Sequence, residues 1–221
     1  MGPMMKWALV AGAMMVPGAA EAADVTFTVH DVTLTATIPA GYCVPVNKDK
    51  LIADTLATGD KENITLATLI RCNKAGRAEG PGNDYMLIKT PQNALATRIP
   101  RAELLTALGA EFGKAEWQSG ATGKAATADA AKGLSDAFST PVDIQGNIAP
   151  RGTDGDCAYL GGTLNVNGGG VSYPIILGGC ITSAANKVVA VYTYDDPGRG
   201  GGVAGKMRAA RNVAMSIKAA P

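Results

Sequence analysis

The sequence predicts an α+β protein: an antiparallel meander sheet flanked by helices, with a C-terminal helix and two disulfides. Short alternating apolar runs follow one another through glycine-rich turns, most plainly over residues 157–196. Helical patterns come in groups between these runs, in the predicted order ββ-α-β-β-α-α-β-βββ-α. Four cysteines stand in a chain that begins with an export pattern, which predicts disulfides.

The last third of the chain predicts three consecutive antiparallel strands, with two competing turns between the first two. A turn centred on Gly168-Gly169 places Cys157 directly opposite Cys180. A turn centred on Asn167-Gly168 leaves the two cysteines out of register. Because directly opposed positions suit a disulfide, a bridge between them selects the first turn. The third run, 187–194, is apolar on both faces and predicts a central strand.

The N-terminal region predicts a tight hairpin over residues 24–38. Its apolar positions change phase at His30-Asp31, which a two-residue turn explains. A single strand with a bulge at that point is the alternative.

Helices are predicted where apolar residues recur at helical spacing. The first, 48–58, has Asn47 as its cap and Leu51 facing inward. The second covers 101–114, and the last carries an apolar stripe from Val203 to Ile217. Between them, residues 125–138 predict a helix docked by two larger side chains, with a flexible surface segment as the alternative. Those side chains are Leu134 and Phe138.

Residues 1–22 have the pattern of a secretory signal peptide. Lys6 precedes a short apolar run, Trp7–Val16, and a small-x-small pattern ends at Ala22. The run is shorter than the roughly 20 residues that a membrane-spanning helix needs. We therefore expect the mature chain, 23–221, to be a single soluble domain without a membrane span. Its expected location is the periplasm, with secretion from the cell as the alternative.

Export to an oxidising compartment and an even number of cysteines together predict two disulfides. Three connectivities are possible. The hairpin favours Cys157–Cys180, and Cys43–Cys72 then follows. A zinc site is disfavoured, because the chain has no CxxC motif and its one histidine is His30.

The charge balance argues against nucleic acid as a partner. The formal net charge is +1 and no block of like charge occurs, whereas nucleic-acid-binding domains present a clustered basic face. Aromatic residues make up 5% of the chain, which disfavours a stacking platform for bases. The abundant alanine and glycine are typical of a bacterial source of high GC content.

The segment Gly200–Met207 matches the GxxxxGK pattern of a phosphate-binding loop. Met207 replaces the Ser or Thr that would hold Mg²⁺, and the preceding sheet is predicted to be antiparallel, so nucleotide binding is disfavoured. Simple anion binding at the start of this helix remains a hypothesis. The residues expected to take part are Arg199, Gly201, Gly202 and Lys206.

Other candidate sites have ordinary structural interpretations. His30-Asp31 is the one place for histidine acid–base chemistry, but it falls at a predicted hairpin tip. Two acidic stretches, Asp154–Asp156 and Asp195-Asp196, lack the oxygen count of a calcium loop, and aspartate is common in turns.

The ending of the chain resembles a known family. The glycine hairpin, NKVVAVYTYDD (186–196) and ARNVAMSIK (210–218) are similar to the C-terminal half of PsbP/Mog1-type domains, which include DcrB-like envelope proteins. The early IPAGYC (38–43) resembles their opening strand pair. The resemblance implies an antiparallel sheet flanked by helices and a non-enzymatic binding or accessory role. It carries over no catalytic residue.

The leading functional hypothesis is an exported bacterial envelope protein without catalysis or a cofactor. Its expected partner is another envelope protein or a small ligand. One alternative is a periplasmic hydrolase whose site is built from Asp and Ser residues in loops. The other is an anion-binding module using the residues around the last helix.

Overall fold

The structure is a computed structural model that describes residues 23–73, 82–199 and 201–221. The predicted signal peptide, 1–22, lies outside the described residues. No helix in the described ranges is long and apolar enough to cross a membrane.

Ten strands and five α-helices make up the described fold. The strands are β1 (Asp24–Val29), β2 (Val32–Thr37), β3 (Tyr42–Cys43), β4 (Asn63–Arg71), β5 (Tyr85–Pro91), β6 (Val142–Thr153), β7 (Ala158–Gly168), β8 (Val171–Ala184), β9 (Lys187–Asp195) and β10 (Lys218–Ala219). The helices are α1 (Asn47–Thr58), α2 (Arg101–Phe112), α3 (Ala115–Gln118), α4 (Ala121–Phe138) and α5 (Gly202–Ser216). Short 3₁₀ turns cover Gln92–Ala94 and Pro197–Arg199.

The strands are antiparallel, as the sequence predicts, but they form two sheets where the sequence predicts one. The large sheet has seven strands in the order β3-β4-β5-β9-β8-β7-β6, and the small one has the order β1-β2-β10. From β6 to β9 the chain meanders between neighbours. The run predicted as a central strand is β9, the fourth of the seven. The α+β fold class, the C-terminal helix and the two disulfides are confirmed.

The predicted register of the β7–β8 hairpin is wrong, although the predicted disulfide is correct. The turn is centred on Gly169-Gly170, whose φ angles are 59° and 82°, as a type I′ turn requires at both positions. This register places Tyr159 opposite Cys180. Cys157 precedes β7 and reaches Cys180 diagonally, with 5.2 Å between the Cα atoms. The bridge therefore does not require directly opposed positions.

The N-terminal hairpin is confirmed with its turn at His30-Asp31. Val29 pairs with Val32, and Phe27 pairs with Leu34. Residues directly opposite each other in the pair point to the same face of the sheet. The two-residue turn therefore places the odd-numbered apolar residues of β1 and the even-numbered ones of β2 on one face. They pack into the main core together with the buried side of α5.

Helix α5 covers one face of the large sheet over β8 and β9. The sheet makes room for it with glycine, since a Cβ on Gly178 would overlap the backbone of Lys206 and Met207. The Thr193 hydroxyl donates to the carbonyl oxygen of Lys206 at 2.8 Å and fixes the helix along the strand. Buried Ala210 faces the same core. Small residues on both sides thus bring helix and sheet into close contact.

The opposite face of the sheet carries α2 and α3, whose Phe112 and Trp117 pack edge to face. Helix α4 lies beside β6, and its whole length is helical. The predicted docking of α4 by Phe138 is wrong, since this side chain is 41% exposed, whereas Leu134 is half-buried. Glycine docks the helix instead: Gly133 packs on the backbone of Gly59, and Gly123 packs on the carbonyl of Ile148.

Helix α1 also departs from the prediction. Leu51 is 68% exposed, and Ala53 is the buried residue. Asn47 does not cap the helix; it is the first helical residue, has φ of 52°, and follows Val46 at the cap position. The helix contacts α4 and β4.

Candidate anion-binding site

The start of α5 brings together the residues expected to bind an anion. Gly201 and Gly202 have φ angles of 80° and 53°, so the chain turns into the helix through two left-handed residues. Lys206 donates from Nζ to Oδ2 of Asp195, and Arg199 Nε lies 4.0 Å from Oδ1 of the same carboxylate. Both cations therefore contact the buried carboxylate of Asp195, whereas the lysine of a phosphate-binding loop contacts the phosphate.

A second buried carboxylate, Asp84, lies beside the first. It stands directly before β5, and because Tyr85 pairs with Tyr194, Asp84 falls next to Asp195 across the β5–β9 pair. The side chains of both aspartates are 5% exposed. Two such charges are stable side by side only when cations and hydrogen bonds compensate them.

Asp84 is the point on which two arginines converge. Arg71 Nε donates to Asp84 Oδ2 at 2.8 Å, and Arg199 Nη1 lies 3.8 Å from the same oxygen. The Arg71 side chain is 42% exposed and that of Arg199 is 60% exposed. The carboxylate is buried while both guanidinium groups reach the surface. Each guanidinium has five N–H donors, more than the contacts with Asp84 use.

Arg71, Asp84, Asp195, Arg199 and Lys206 form one charged cluster, and Tyr42 lies on its inner side. Its hydroxyl donates to Oδ1 of Asp84, and its ring lies under the guanidinium of Arg71 at 5.0 Å from the centroid. Burial raises the pKa of Tyr42, and the hydrogen bond to Asp84 raises it further. The hydroxyl consequently stays protonated as a donor at any physiological pH. One side chain thus fixes both the carboxylate and the arginine.

The strand that carries Tyr42 is fastened by the first disulfide. Tyr42 pairs with Arg71 in register, and the next residues along each strand, Cys43 and Cys72, form the bridge. The backbone N–H of Cys72 also donates to the carbonyl of Gly41 at 3.0 Å. The bridge predicted from cysteine count and export is confirmed, and it borders the cluster directly.

The charges of the cluster do not cancel. Arg71, Arg199 and Lys206 supply three positive charges against the two negative charges of Asp84 and Asp195, which leaves one positive charge in excess. Since the carboxylates lie inside and the arginines outside, the excess faces solvent. The positive end of the α5 dipole adds to it. The arrangement suits a carboxylate or phosphate group held by two guanidinium forks.

His30-Asp31 is a structural clamp rather than a reactive pair. Asp31 accepts from His30 Nδ1 at 3.2 Å, from Lys187 Nζ at 3.0 Å and from Arg98. Lys187 is fully buried and also donates to the carbonyl of Leu95 at 3.0 Å. Hydrogen bonds from Lys187 and then Arg98 lower the pKa of Asp31. The contacts tie the hairpin tip to the body of the protein.

The acidic stretches considered for calcium are occupied by protein donors. Asp154 accepts from the backbone N–H groups of Asp156 and Cys157, each at 2.8 Å, which is the local bonding of an aspartate turn. Asp156 pairs with Arg211 and Asp195 pairs with Lys206. Within the described residues, no group of three or more His, Cys, Asp or Glu side chains is placed to hold a metal ion.

Two surface depressions bear on the hydrolase alternative. One, of about 600 Å³, lies at the β7–β8 turn between residues 140–141 and 167–172, and none of its lining residues is acidic. The other, of about 250 Å³, lies between α1 and β4. Its one carboxylate, Asp54, is paired with Lys50 at 2.6 Å. Neither depression gathers the convergent carboxylates that this alternative requires.

Sequence reasoning missed three members of the cluster: Tyr42, Arg71 and Asp84. A signal for two of them was present, because each directly precedes one cysteine of a predicted bridge. The two residues lie opposite each other because the Cys43–Cys72 bridge crosses the β3–β4 pair diagonally. Asp84 gave no such signal, since a single aspartate before a strand is common in loops.

The comparisons with known proteins concern the fold. Among solved structures, the chain is similar to the solution structure of cyanobacterial PsbP (CyanoP) from Synechocystis sp. PCC 6803. The sequence identity is 13% and the TM-score is 0.40, with 93% of this chain and 97% of that chain covered. No family model matches the sequence, and no curated protein matches it either.

Proposed function

We propose that this chain is an exported, non-catalytic binding protein, and that its ligand presents a carboxylate or phosphate group to Arg71 and Arg199. One observation carries the proposal: two guanidinium groups converge on a single oxygen of the buried Asp84, and the side chains that carry them are 42% and 60% exposed. A buried carboxylate that orients exposed arginines preorganises them for an anion, because their rotamer freedom is lost before binding.

Three features make the cluster suitable for an anion. Arginine is charged at every physiological pH and offers planar forks that match carboxylate and phosphate. The cluster keeps an excess positive charge after its internal pairs are counted. The first turn of α5 presents backbone N–H groups beside Arg199, where negative charge is favoured.

Export is part of the proposal. The signal-peptide pattern of residues 1–22 and the two disulfides both fit an oxidising compartment. We expect the mature chain, 23–221, to work as a single domain in the periplasm. A binding role there fits a rigid scaffold whose site is built from strand ends and one helix start.

The test is a titration of the oxidised mature chain with sodium phosphate and with sodium acetate, followed by two-dimensional NMR at constant ionic strength. We expect saturable shifts at the amides of Gly201 and Gly202 and at the Nε–H signals of Arg71 and Arg199. Arg71→Gln and Arg199→Gln should each weaken binding at least tenfold, because each removes one fork of the pair.

Arg208→Gln is the matched control, since Arg208 is an exposed arginine of α5 that makes no contact with Asp84 or Asp195 among the ion pairs of the cluster. It should leave the affinity unchanged. Equal losses in all three variants would indicate a general effect of net charge and would contradict the proposed site. An absence of saturable shifts with either anion in the wild type would also contradict it.

A pull-down from periplasmic extract then tests whether a protein carries the anionic group. For a small ligand we expect no stoichiometric protein. A dominant partner that is captured by the wild type and lost with Arg71→Gln would instead place the anionic group on a protein.

A further inference from the structure

We infer that the Cys43–Cys72 disulfide regulates anion binding, so that the oxidised protein binds and the reduced protein releases its ligand. The inference rests on the proposed function and concerns the regulation of the same site. It starts from the placement of the bridge: Tyr42 and Arg71 are the residues next to its two cysteines, and both contact Asp84.

The strand that holds Tyr42 has few other attachments. β3 consists of two residues at the edge of the large sheet and pairs with β4 alone. On its far side the chain continues through Val44 and Val46, which are 42% and 58% exposed and flank the buried Pro45. A strand of two residues is not stable by itself. The bridge therefore constrains the position of Tyr42 together with the packing of its half-buried ring against the main core.

The two disulfides differ in their access to solvent. Cys157 and Cys180 are both 0% exposed, whereas Cys43 and Cys72 are partly exposed at the sheet edge. Thiol–disulfide exchange requires a thiolate to reach a sulfur atom, so a reductant in solution meets the edge bridge first. The buried bridge, which lies in the main core, stays closed while the fold is intact.

The reaction is an ordinary exchange with a dithiol reductant. One thiolate of the reductant attacks a sulfur of the Cys43–Cys72 bridge, the S–S bond breaks, and a mixed disulfide forms. The second thiol of the reductant resolves it. In total the protein takes up two electrons and two protons to give two thiols, and the dithiol becomes a disulfide.

Reduction acts on the site through Tyr42. When β3 detaches, the Tyr42 hydroxyl leaves Asp84 and the ring no longer supports the Arg71 guanidinium. Asp84 then lacks a donor, and the two arginines become its remaining partners. Without the Tyr42 ring beneath it, the Arg71 guanidinium regains rotamer freedom that anion binding must then remove. Anion affinity falls as a result.

The experiment compares phosphate binding by the oxidised and reduced forms of the mature chain. The protein is treated with dithiothreitol under native conditions, and new thiols are alkylated and mapped by mass spectrometry. We expect alkylation at Cys43 and Cys72 but not at Cys157 or Cys180. The same treatment should lower phosphate affinity at least fivefold, and reoxidation of a sample that was not alkylated should restore it.

Two variants separate the bridge from general destabilisation. Tyr42→Phe keeps the disulfide and the ring but lacks the hydroxyl, and should show an intermediate loss of affinity. Cys43→Ser with Cys72→Ser should bind phosphate as weakly as the reduced wild type and should not respond to dithiothreitol. Dispersed amide signals from β7 to β9 verify that the fold remains. If the double variant does not fold, the phosphate affinities of the reduced wild type and of Tyr42→Phe test the inference instead.

The outcomes distinguish the two proposals. Equal phosphate affinity in the oxidised and reduced forms, with Arg71→Gln still weakening binding, would overturn the redox control and leave the binding function standing. Reduction of all four cysteines together, or of none, would also overturn it. An oxidised wild type that binds no phosphate and no acetate would overturn both.

Discussion

Asp31 shows how one exposed carboxylate can fix the position of a hairpin. Lys187, Arg98 and His30 all bond to it, and their hydrogen bonds lower its pKa. A lowered pKa in the folded state means that the carboxylate stabilises the fold above its unfolded pKa of about 4, and that this stabilisation is lost as the pH falls below that value.

Asp31→Asn should therefore lower the free energy of unfolding at pH 7, because it also leaves the buried Lys187 ammonium without its carboxylate. It should flatten the fall in stability between about pH 4 and pH 2, where the wild type loses this contribution. Urea unfolding across that range measures both effects.

Asp136→Asn is the control for this prediction. Asp136 is exposed on α4, and its pKa is lowered mainly by the hydrogen bond from Lys132. A solvent-exposed pair of this kind contributes little, so the variant should follow the wild type closely. If both variants showed the same pH profile, the clamp at the hairpin tip would have no special role.

At the level of single residues, the sequence shows turn chemistry better than it shows side-chain clusters. The change of alternation at His30-Asp31 placed the hairpin correctly, since a two-residue turn leaves a local signature. The partnership of Tyr42 with Asp84 joins residues 42 positions apart. Such a contact depends on the fold as a whole and leaves no local pattern.

Among the elements, α4 is held by the close approach of backbones rather than by bulky side chains. Gly133 packs on Gly59, and a Cβ at either position would come within 3.1 Å or less of the other's backbone. Helical periodicity drew attention to the larger residues of α4, because glycine contributes nothing to an apolar stripe. The contact could be recognised only from the three-dimensional arrangement.

The same substitution should have opposite effects in two helices. Alanine is favoured over glycine within a helix by about 1 kcal/mol. Gly205→Ala in α5, where the nearest atom to a new Cβ is the tip of Arg208 at 3.9 Å, should raise the free energy of unfolding. Gly133→Ala should lower it by about 2 kcal/mol, because the new methyl group overlaps the Gly59 carbonyl.

Chemical unfolding in urea measures both glycine variants. A gain in stability for Gly133→Ala would mean that α1 moves away from α4 without loss, and that their contact does not hold either helix.

The β7–β8 hairpin shows the limit of register prediction from a glycine run. Residues 168–170 are three consecutive glycines, so several two-residue turns are compatible with the sequence. The disulfide was expected to choose between them, but it crosses the pair diagonally. Cysteine pairing was therefore predictable, while the observed turn lies one position beyond the predicted one.

For the whole molecule, the two disulfides should contribute similarly to stability and differently to function. The bonded cysteines are separated by 29 residues in Cys43–Cys72 and by 23 in Cys157–Cys180. The chain-entropy model gives about 3 kcal/mol for each.

Replacing either cysteine pair with alanine should lower the free energy of unfolding by about this amount, as measured in urea. Only the Cys43–Cys72 replacement should weaken anion binding. Loss of binding with the Cys157–Cys180 replacement, in protein that remains folded, would show that the site depends on overall rigidity.

The general architecture was accessible from the sequence because its signals are local: alternation, glycine turns and cysteine count. The arrangement of the seven strands was less accessible. β9 joins β5 rather than ending the sheet, and this pairing brings Asp84 beside Asp195. The candidate site exists because of that one long-range pairing.

The β5–β9 pairing also separates folding into an early step and a late step. Tyr85 and Tyr194, whose rings stack at 4.4 Å, belong to segments roughly a hundred positions apart, and closing so long a loop is entropically unfavourable. The β6–β9 meander closes through short turns and can form early. Until β5 docks, β9 is an open edge able to pair with another chain, so the newly synthesised protein is most exposed to aggregation during that interval.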